Sequence, residues 1–459
     1  MRWTATVVTV VAALALAVPA GAHTAGPGSA GLGDPFFPLA GNGGYDVSHY
    51  SLRIAYTRAT NRLDGHATIV ARATQGLTRF DLDLRDFLTV SALRVNGRPA
   101  HVTQDGQELV VTPRHALRAG RTFVVGVRYG GAPEPIVDPD ESIEGWVPTD
   151  DGAFVVGEPQ GAPGWFPAND NPRDKATYDM AIDVPAGITA LGNGRLVSTV
   201  TRQGRTTWKW REDSPMASYL ATATNGVFEL RISRTRHGLP VYDAVDPREA
   251  AAAWPVLADE PEIVGFFSDL YARYPFEAVG AIVDHAPDVG YALESQTKPN
   301  YADAPSLGTV VHELAHQWFG DSVTLKVWPD IWLNEGFATW SEWIYDERHG
   351  GETAAAAFDA VYARPATSSI WRNAPAALPG PDVMFSSSPY DRGAATLQAL
   401  REKVGDRTFF GILRAWYAGH RYGNATTADF IALAERRSHL ALDQFFDVWL
   451  YQPGKPASW

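Results

Sequence analysis

His312-Glu313-Leu314-Ala315-His316, followed after eighteen intervening residues by Glu335 in the run Trp332-Leu-Asn-Glu-Gly-Phe-Ala-Thr-Trp340, organises the whole chain. Residues four apart lie about 40° apart around an α-helix, one turn up. His312 and His316 can therefore offer imidazole nitrogens to one ion from a single helix face. Glu335 must come from a second segment, and three protein ligands leave a fourth position open for water. A structural zinc site fills that position, whereas an open one implies catalysis. Glu313, next to the first histidine, is placed to take a proton from an attacking water. The plain alternative is an amphipathic helix with histidines of no special role. Requiring the later glutamate makes such a coincidence far rarer than a bare motif match. One zinc ion held by His312, His316 and Glu335 is the expectation.

Composition bounds the rest. The chain has 459 residues, no cysteine and a net charge of −13. Disulfides, thiol chemistry and cysteine metal ligation are excluded, and the acidic balance argues against nucleic acid or an anionic membrane as partner. Met1-Arg2-Trp3, an apolar run from Val7 to Val18, and Pro19-Ala20-Gly21-Ala22 describe a secretory signal peptide over residues 1–22, cleaved near Ala22. The same run also reads as a buried strand or an uncleaved anchor. No later segment is long and apolar enough to span a bilayer, so a secreted protein without stable membrane insertion is expected. Oligomeric state is not legible.

Residues 23–44 are rich in Gly and Pro and read as a mobile leader. From Tyr45 to about Leu230 short alternating runs such as Tyr50-Ser-Leu-Arg-Ile-Ala-Tyr56 and Phe123-Val-Val-Gly-Val-Arg-Tyr129 are separated by turns, with Asn96-Gly97 as a hairpin signal. This half, residues 45–230, is expected to be an antiparallel β domain. Residues 231–459 change character. A helical pattern from Pro247 to Tyr274 is interrupted by Pro255 and Pro261, and one strand follows at 279–284. Helices are then expected near 306–319, 333–348, 352–363, 391–404, 407–419 and 427–450. The fold class is α+β.

With these residues laid out, the chain resembles the aminopeptidase N family of zinc metallopeptidases, the gluzincins. The resemblance rests on His312-Glu-Leu-Ala-His-Gln-Trp-Phe-Gly-Asp321, Trp332-Leu-Asn-Glu-Gly-Phe-Ala338 and Tyr390-Asp-Arg-Gly393. Trp165-Phe-Pro-Ala-Asn-Asp-Asn-Pro172 and Asp174-Lys-Ala-Thr-Tyr178 extend it upstream. It implies an N-terminal β saddle followed by a mainly helical, thermolysin-like catalytic domain, here in a short form without the C-terminal helical repeats many members add. It also implies that Tyr390 donates a hydrogen bond to a developing oxyanion, and that Glu294 grips the α-ammonium of a peptide substrate. The run Tyr291-Ala-Leu-Glu-Ser295 departs from the family's Gly-Ala-Met-Glu-Asn: only Ala292 and Glu294 match. Glu294 thus also reads as a solvated loop carboxylate, and Tyr390 as an aromatic at a helix start. Gln160, in Glu158-Pro-Gln-Gly161, matches a position that touches the substrate's first residue, with Glu158 or a plain turn as alternatives.

The expected activity is release of N-terminal amino acids from peptides by zinc-activated water, with Glu313 as base and then acid. A thermolysin-type endopeptidase, an epoxide hydrolase and a catalytically silent binding module are the competing readings.

Overall fold

The computed structural model describes residues 25–457, so the signal peptide expected over 1–22 lies outside the described residues. Lys175–Pro185 alternates buried and half-buried side chains without a break, the mark of a strand with one face on a core. It belongs to an eight-stranded sheet. Across that sheet the order is Arg195–Arg202, Arg205–Ala217, Lys175–Pro185, Tyr45–Thr57, Arg62–Ala73, Thr122–Gly131, Leu88–Val95 and Arg98–Pro99. The sheet departs from the expected antiparallel pattern at one place, where Tyr45–Thr57 and Lys175–Pro185 run parallel. More than a hundred residues of hairpins separate these two strands, which supplies the long crossover a parallel pair requires. At the sheet's edge, Asn96 and Gly97 take φ of 50° and 76° between Val95 and Arg98, the positive values a tight hairpin needs.

Two smaller sheets complete this half. One contains Leu77–Asp83, flanked by Gly26–Pro27 and Glu108–Thr112. The other joins Ile136–Val137, Ile143–Pro148, Ala153–Val156, Asn225–Gly226 and Thr189–Ala190, and brings two acidic turns to the site described below. The expected mobile leader is instead packed over residues 25–44. Gly26–Pro27 pairs with the Leu77–Asp83 strand. Phe37 is buried edge-on to Trp328, and Asp34 Oδ2 accepts the Trp328 N–H at 2.8 Å. Gly and Pro shape its turns, but three apolar or acidic anchors fasten it.

The second half is richer in sheet than expected. Five strands, in the order Glu229–Arg234, Pro240–Val245, Val279–Val283, Asn300–Tyr301 and Ala292–Leu293, lie under the helices. The expected division at 230/231 falls inside the first of them. The helices of eight residues or more are α1 (Ala250–Leu257), α2 (Glu260–Leu270), α3 (Leu307–His316), α4 (Trp332–Arg348), α5 (Ala354–Ala363), α6 (Gly393–Val404), α7 (Asp406–His420) and α8 (Thr427–Ser438). Pro261 occupies the first turn of α2, where its missing N–H costs nothing. The helix expected over 427–450 is broken: His439 takes the left-handed conformation (φ 59°) and ends α8. Among the described residues no helix is long and apolar enough to cross a membrane. The halves are joined by buried polar contacts. Lys175 Nζ donates to the carbonyls of Asp321 and Ser322 (2.8 and 3.1 Å), and Asn193 Nδ2 donates to that of Gln296 (2.7 Å).

Candidate active site

α3 starts where the Ser306 hydroxyl accepts the Thr309 N–H, a cap that frees the following turns to carry function. Its buried face holds Val310, Val311, Leu314 and Ala315, and the same packing leaves His312 and His316 aligned, ring centroids 4.7 Å apart. α4 crosses α3 with Glu335 in its first turn. Glu335 Oε2 lies 3.2 Å from His312 Nε2 and 3.4 Å from His316 Nε2. Ligand atoms of these three residues all lie within 4.8 Å of one another, the one such group of three or more metal-ligating side chains among the described residues.

The far nitrogens are engaged as well. His312 Nδ1 donates to Glu342 Oε1 at 2.6 Å and His316 Nδ1 to the Phe319 carbonyl at 3.0 Å. Donation from Nδ1 leaves both Nε2 lone pairs directed at Glu335, the tautomer a metal ligand requires. Charge points the same way. Burial would lower the His316 pKa, but Glu335 and Glu294 outweigh it and push it up to about 9. Burial would raise the Glu335 carboxyl, and the two imidazoles hold it down to about 2. The pocket thus draws positive charge onto its imidazoles. Two imidazoles and a carboxylate with those preferences fit a zinc ion, which would supply that charge in place of protons.

Glu313 sits beside this group, 5% exposed, and burial pushes its carboxyl up to about 7 against the pull of His312 and His316. Tyr390 reaches the site from the other side, its ring 6.0 Å from that of His312 and nearly parallel to it. It stands on a π-type turn, Ser388–Arg392, a winding frequent at functional sites. Two features hold that turn. The buried Arg392 guanidinium donates to the carbonyls of Asn373, Val448, Trp449 and Gln452 at 2.6–3.2 Å. Gly336 meets Gly393 so closely that a Cβ on Gly336 would lie 2.9 Å from the Gly393 backbone. The residue after a candidate ligand and the third residue after Tyr390 therefore set the approach of α4 to α6.

These groups line a cleft of about 630 Å³. Ala292 and Glu294 line it too, on and just beyond the edge strand Ala292–Leu293. Glu158 enters from the β-rich half. Glu294 is 2% and Glu158 8% exposed, and each keeps a carboxylate oxygen with no hydrogen-bond partner. Burial, then the neighbouring Glu294 charge, pushes the Glu158 carboxyl well up. A larger hollow of about 850 Å³ on the eight-stranded sheet shares no residue with the cleft.

Two residues stand apart from this group. Gln160 does not line the cleft: its side-chain amide donates to Asp138 Oδ1 at 3.4 Å and its backbone N–H to Glu144 Oε1 at 3.1 Å. Within one turn Glu158 and Gln160 face opposite ways, and the carboxylate takes the inward place. Asp321, five residues after His316, is not the partner of either ligating imidazole. Its carboxylate is buried without a partner, and the role falls to Glu342 and the Phe319 carbonyl. Glu342 was missed, although it lies seven residues after Glu335, two turns along the same face of α4.

Residues 47–220 match the Peptidase M1 N-terminal domain and residues 291–449 the Peptidase family M1 domain. Aminopeptidase N of Lactococcus lactis subsp. lactis is 27% identical over 322 residues, 63% of this chain and 38% of that protein. The chain thus spans little more than a third of the curated relatives it matches. The crystal structure of an M1 zinc metallopeptidase from Deinococcus radiodurans superposes with a TM-score of 0.86 at 31% identity, covering 93% of this chain and 98% of that one. A mutant of the Deinococcus protein bound to a Tyr-Ser-Ala substrate gives 0.85 at 30% identity, covering 93% and 99%. With both domains matched in order and a solved relative aligned almost end to end, the chain belongs to the M1 family of zinc metallopeptidases.

Proposed function

We propose that this chain is a zinc-dependent aminopeptidase that releases the first residue of a peptide. One observation carries the reading. Glu158 and Glu294, both buried, line the cleft that holds Glu313 and the His312–His316–Glu335 group, and each keeps a carboxylate oxygen without a partner. A buried acceptor without a partner is costly, and a buried carboxylate more so. A substrate ammonium relieves both at once. A charge-assisted contact of that kind fixes the register of the peptide, so that its first peptide bond faces the histidines. An endopeptidase has no use for an anionic seat at one end of its cleft.

The residues then divide the work. Bound at His312, His316 and Glu335, zinc supplies a Lewis acid that polarises a carbonyl and acidifies water. Glu313 takes a proton from the attacking water and delivers it to the departing amine as the C–N bond breaks, so one water is consumed per bond cut. A buried carboxyl poised near neutrality suits both directions of that transfer. The Tyr390 hydroxyl donates to the carbonyl oxygen as negative charge builds there. Glu342 holds the His312 ring in place through Nδ1. A structural neighbour with Tyr-Ser-Ala as substrate supports a short peptide as the ligand of such a cleft.

The test compares a free-amine peptide with its N-acetylated twin on zinc-loaded protein, with chelator-treated protein as the zero. Hydrolysis of the free-amine form alone, lost on chelation, is expected. Equal cleavage of both forms would establish a thermolysin-type endopeptidase instead.

A further inference from the structure

Among the described residues no lysine or arginine lines the cleft, yet seven carboxylates do, and six of them already have an occupation. Glu335 lies between the imidazoles and Glu342 accepts from His312. Asp391 Oδ2 accepts from Arg364 Nη1 at 2.6 Å. Glu313 carries the proton, and Glu158 with Glu294 receives the α-ammonium. Asp140 is left over. Its Oδ1 accepts from the Ser142 N–H and hydroxyl at 3.1 and 2.6 Å, and among the described residues it joins no ion pair.

Asp140 is held in a defined place. It sits in the hairpin turn between Ile136–Val137 and Ile143–Pro148, closed by Asp138 N–H to the Ser142 carbonyl (3.0 Å) and Glu141 N–H to the Asp138 carbonyl (2.9 Å). Tyr291 docks on the same hairpin, its hydroxyl donating to the Ile143 carbonyl at 2.9 Å. Tyr291 is three residues before Glu294, roughly 10 Å along an extended chain. Its ring, fastened to the Asp140 hairpin through the hydroxyl, is part of the wall of the cleft that Glu294 and Asp140 also line. Burial pushes the Tyr291 phenol well up, and Glu144, Asp138, Glu158 and Asp140 add to the effect, so this wall stands in a negative field. Gln160, turned away from the cleft, braces that field by donating to Asp138 and Glu144. An aliphatic stem along an aromatic ring with a cation at its far end is how lysine and arginine side chains bind.

We infer that Asp140 and Tyr291 form the seat for the first side chain of the substrate and select peptides that begin with lysine or arginine. The inference rests on the aminopeptidase reading. From that reading it takes the place of the first residue, set by the buried carboxylates of Glu158 and Glu294. What supports it separately is the Asp140 carboxylate without an ion-pair partner and the Tyr291 ring tied to the same hairpin.

The experiment measures kcat/KM of zinc-loaded enzyme on arginyl-, lysyl-, leucyl- and glutamyl-coumarin amides, for wild type, Asp140→Asn and Asp140→Glu. Wild type is expected to prefer the two basic substrates. Asp140→Asn should lower the arginine-to-leucine ratio about tenfold, mainly through KM for arginine, while Asp140→Glu, which keeps the charge, should retain most of the preference. Melting temperatures within a degree or two of wild type would show that the turn is intact. A ratio unmoved by Asp140→Asn, or a wild type that favours leucine, would overturn the assignment and leave the aminopeptidase reading standing. If no amide is cleaved while an N-acetylated peptide is, both fall together.

Discussion

Glu313 and Glu294 are carboxylates in one cleft, but their surroundings ask different things of them. Glu313 has the imidazoles as neighbours and a carboxyl near neutrality, the balance a proton carrier needs. Glu294 keeps an oxygen without a partner, which asks for a cation. Glu313→Gln preserves shape and hydrogen-bonding capacity while removing the proton carrier. It should lower kcat by about 10²–10⁴-fold, with zinc content by mass spectrometry and the melting temperature both retained. Turnover near wild type would remove Glu313 from the role. The histidines and Glu313 were legible because an i, i+4 pair on one helix needs only local geometry. Glu342 carried a signal too, its spacing of seven from Glu335, but nothing in the sequence says that α4 passes over α3 at that depth. The choice between Glu158 and Gln160 was not legible. Which of two residues in a tight turn faces inward is decided by the strand before it and by the acids of the hairpin opposite.

Between elements, the approach of α4 to α6 is the dimension on which Tyr390 depends. Gly336 follows Glu335 directly, and the atoms nearest a Cβ placed there are Gly393 Cα and C at 2.9 Å and the Pro389 carbonyl at 3.1 Å. All three are backbone, so no side chain can swing aside. Gly336→Ala should cost about 1–3 kcal/mol by overpacking, read as a lower denaturation midpoint. By pressing the Ser388–Arg392 turn away from Glu335 it should reduce kcat more than KM. Wild-type stability and kcat in this variant would mean that the contact is softer than its geometry implies. α4, α5, α6 and α7 were legible to within two residues because runs of ten to seventeen residues without proline read as helix by their length. The helix expected over 427–450, by contrast, stops at Ser438 and the one expected over 306–319 at His316. The sheet beneath them was not legible. Ala292–Leu293 and Asn300–Tyr301 are two residues each, too short for any period. Glu229–Arg234 leaves five of its six residues exposed, which hides the alternation that identifies a strand.

Across the molecule, an acidic chain has placed many of its carboxylates indoors. Asp83 and Asp170 knit the N-terminal stretch to the β-rich half through Gly41, Asn42 and the Asp170 N–H. Asp170 Oδ1 accepts the Ser218 hydroxyl at 2.6 Å, and its other oxygen has no partner. Length and the β-then-α change of character made the two-part organisation legible, whereas these long-range ties were not, since they join positions up to 87 residues apart. Their consequence is a pH dependence. Burial pushes the Asp170 carboxyl up to about 7 from an ordinary 3.8. Between those values the folded chain keeps the proton and the unfolded chain has released it. Stability from this group is therefore full below about 3.8 and is lost as pH rises through about 7. Each pH unit in that window is worth at most about 1.4 kcal/mol, so pH 5 to pH 7 spans up to about 3 kcal/mol. Asp170→Asn has no proton to release and keeps an acceptor for Ser218. Urea denaturation of zinc-loaded protein at pH 5 and pH 8 should thus show the variant gaining on wild type by about 2–3 kcal/mol at the higher pH. Titrations elsewhere in the chain cancel in the comparison, and two curves that move in parallel would show that Asp170 is ionised in the fold.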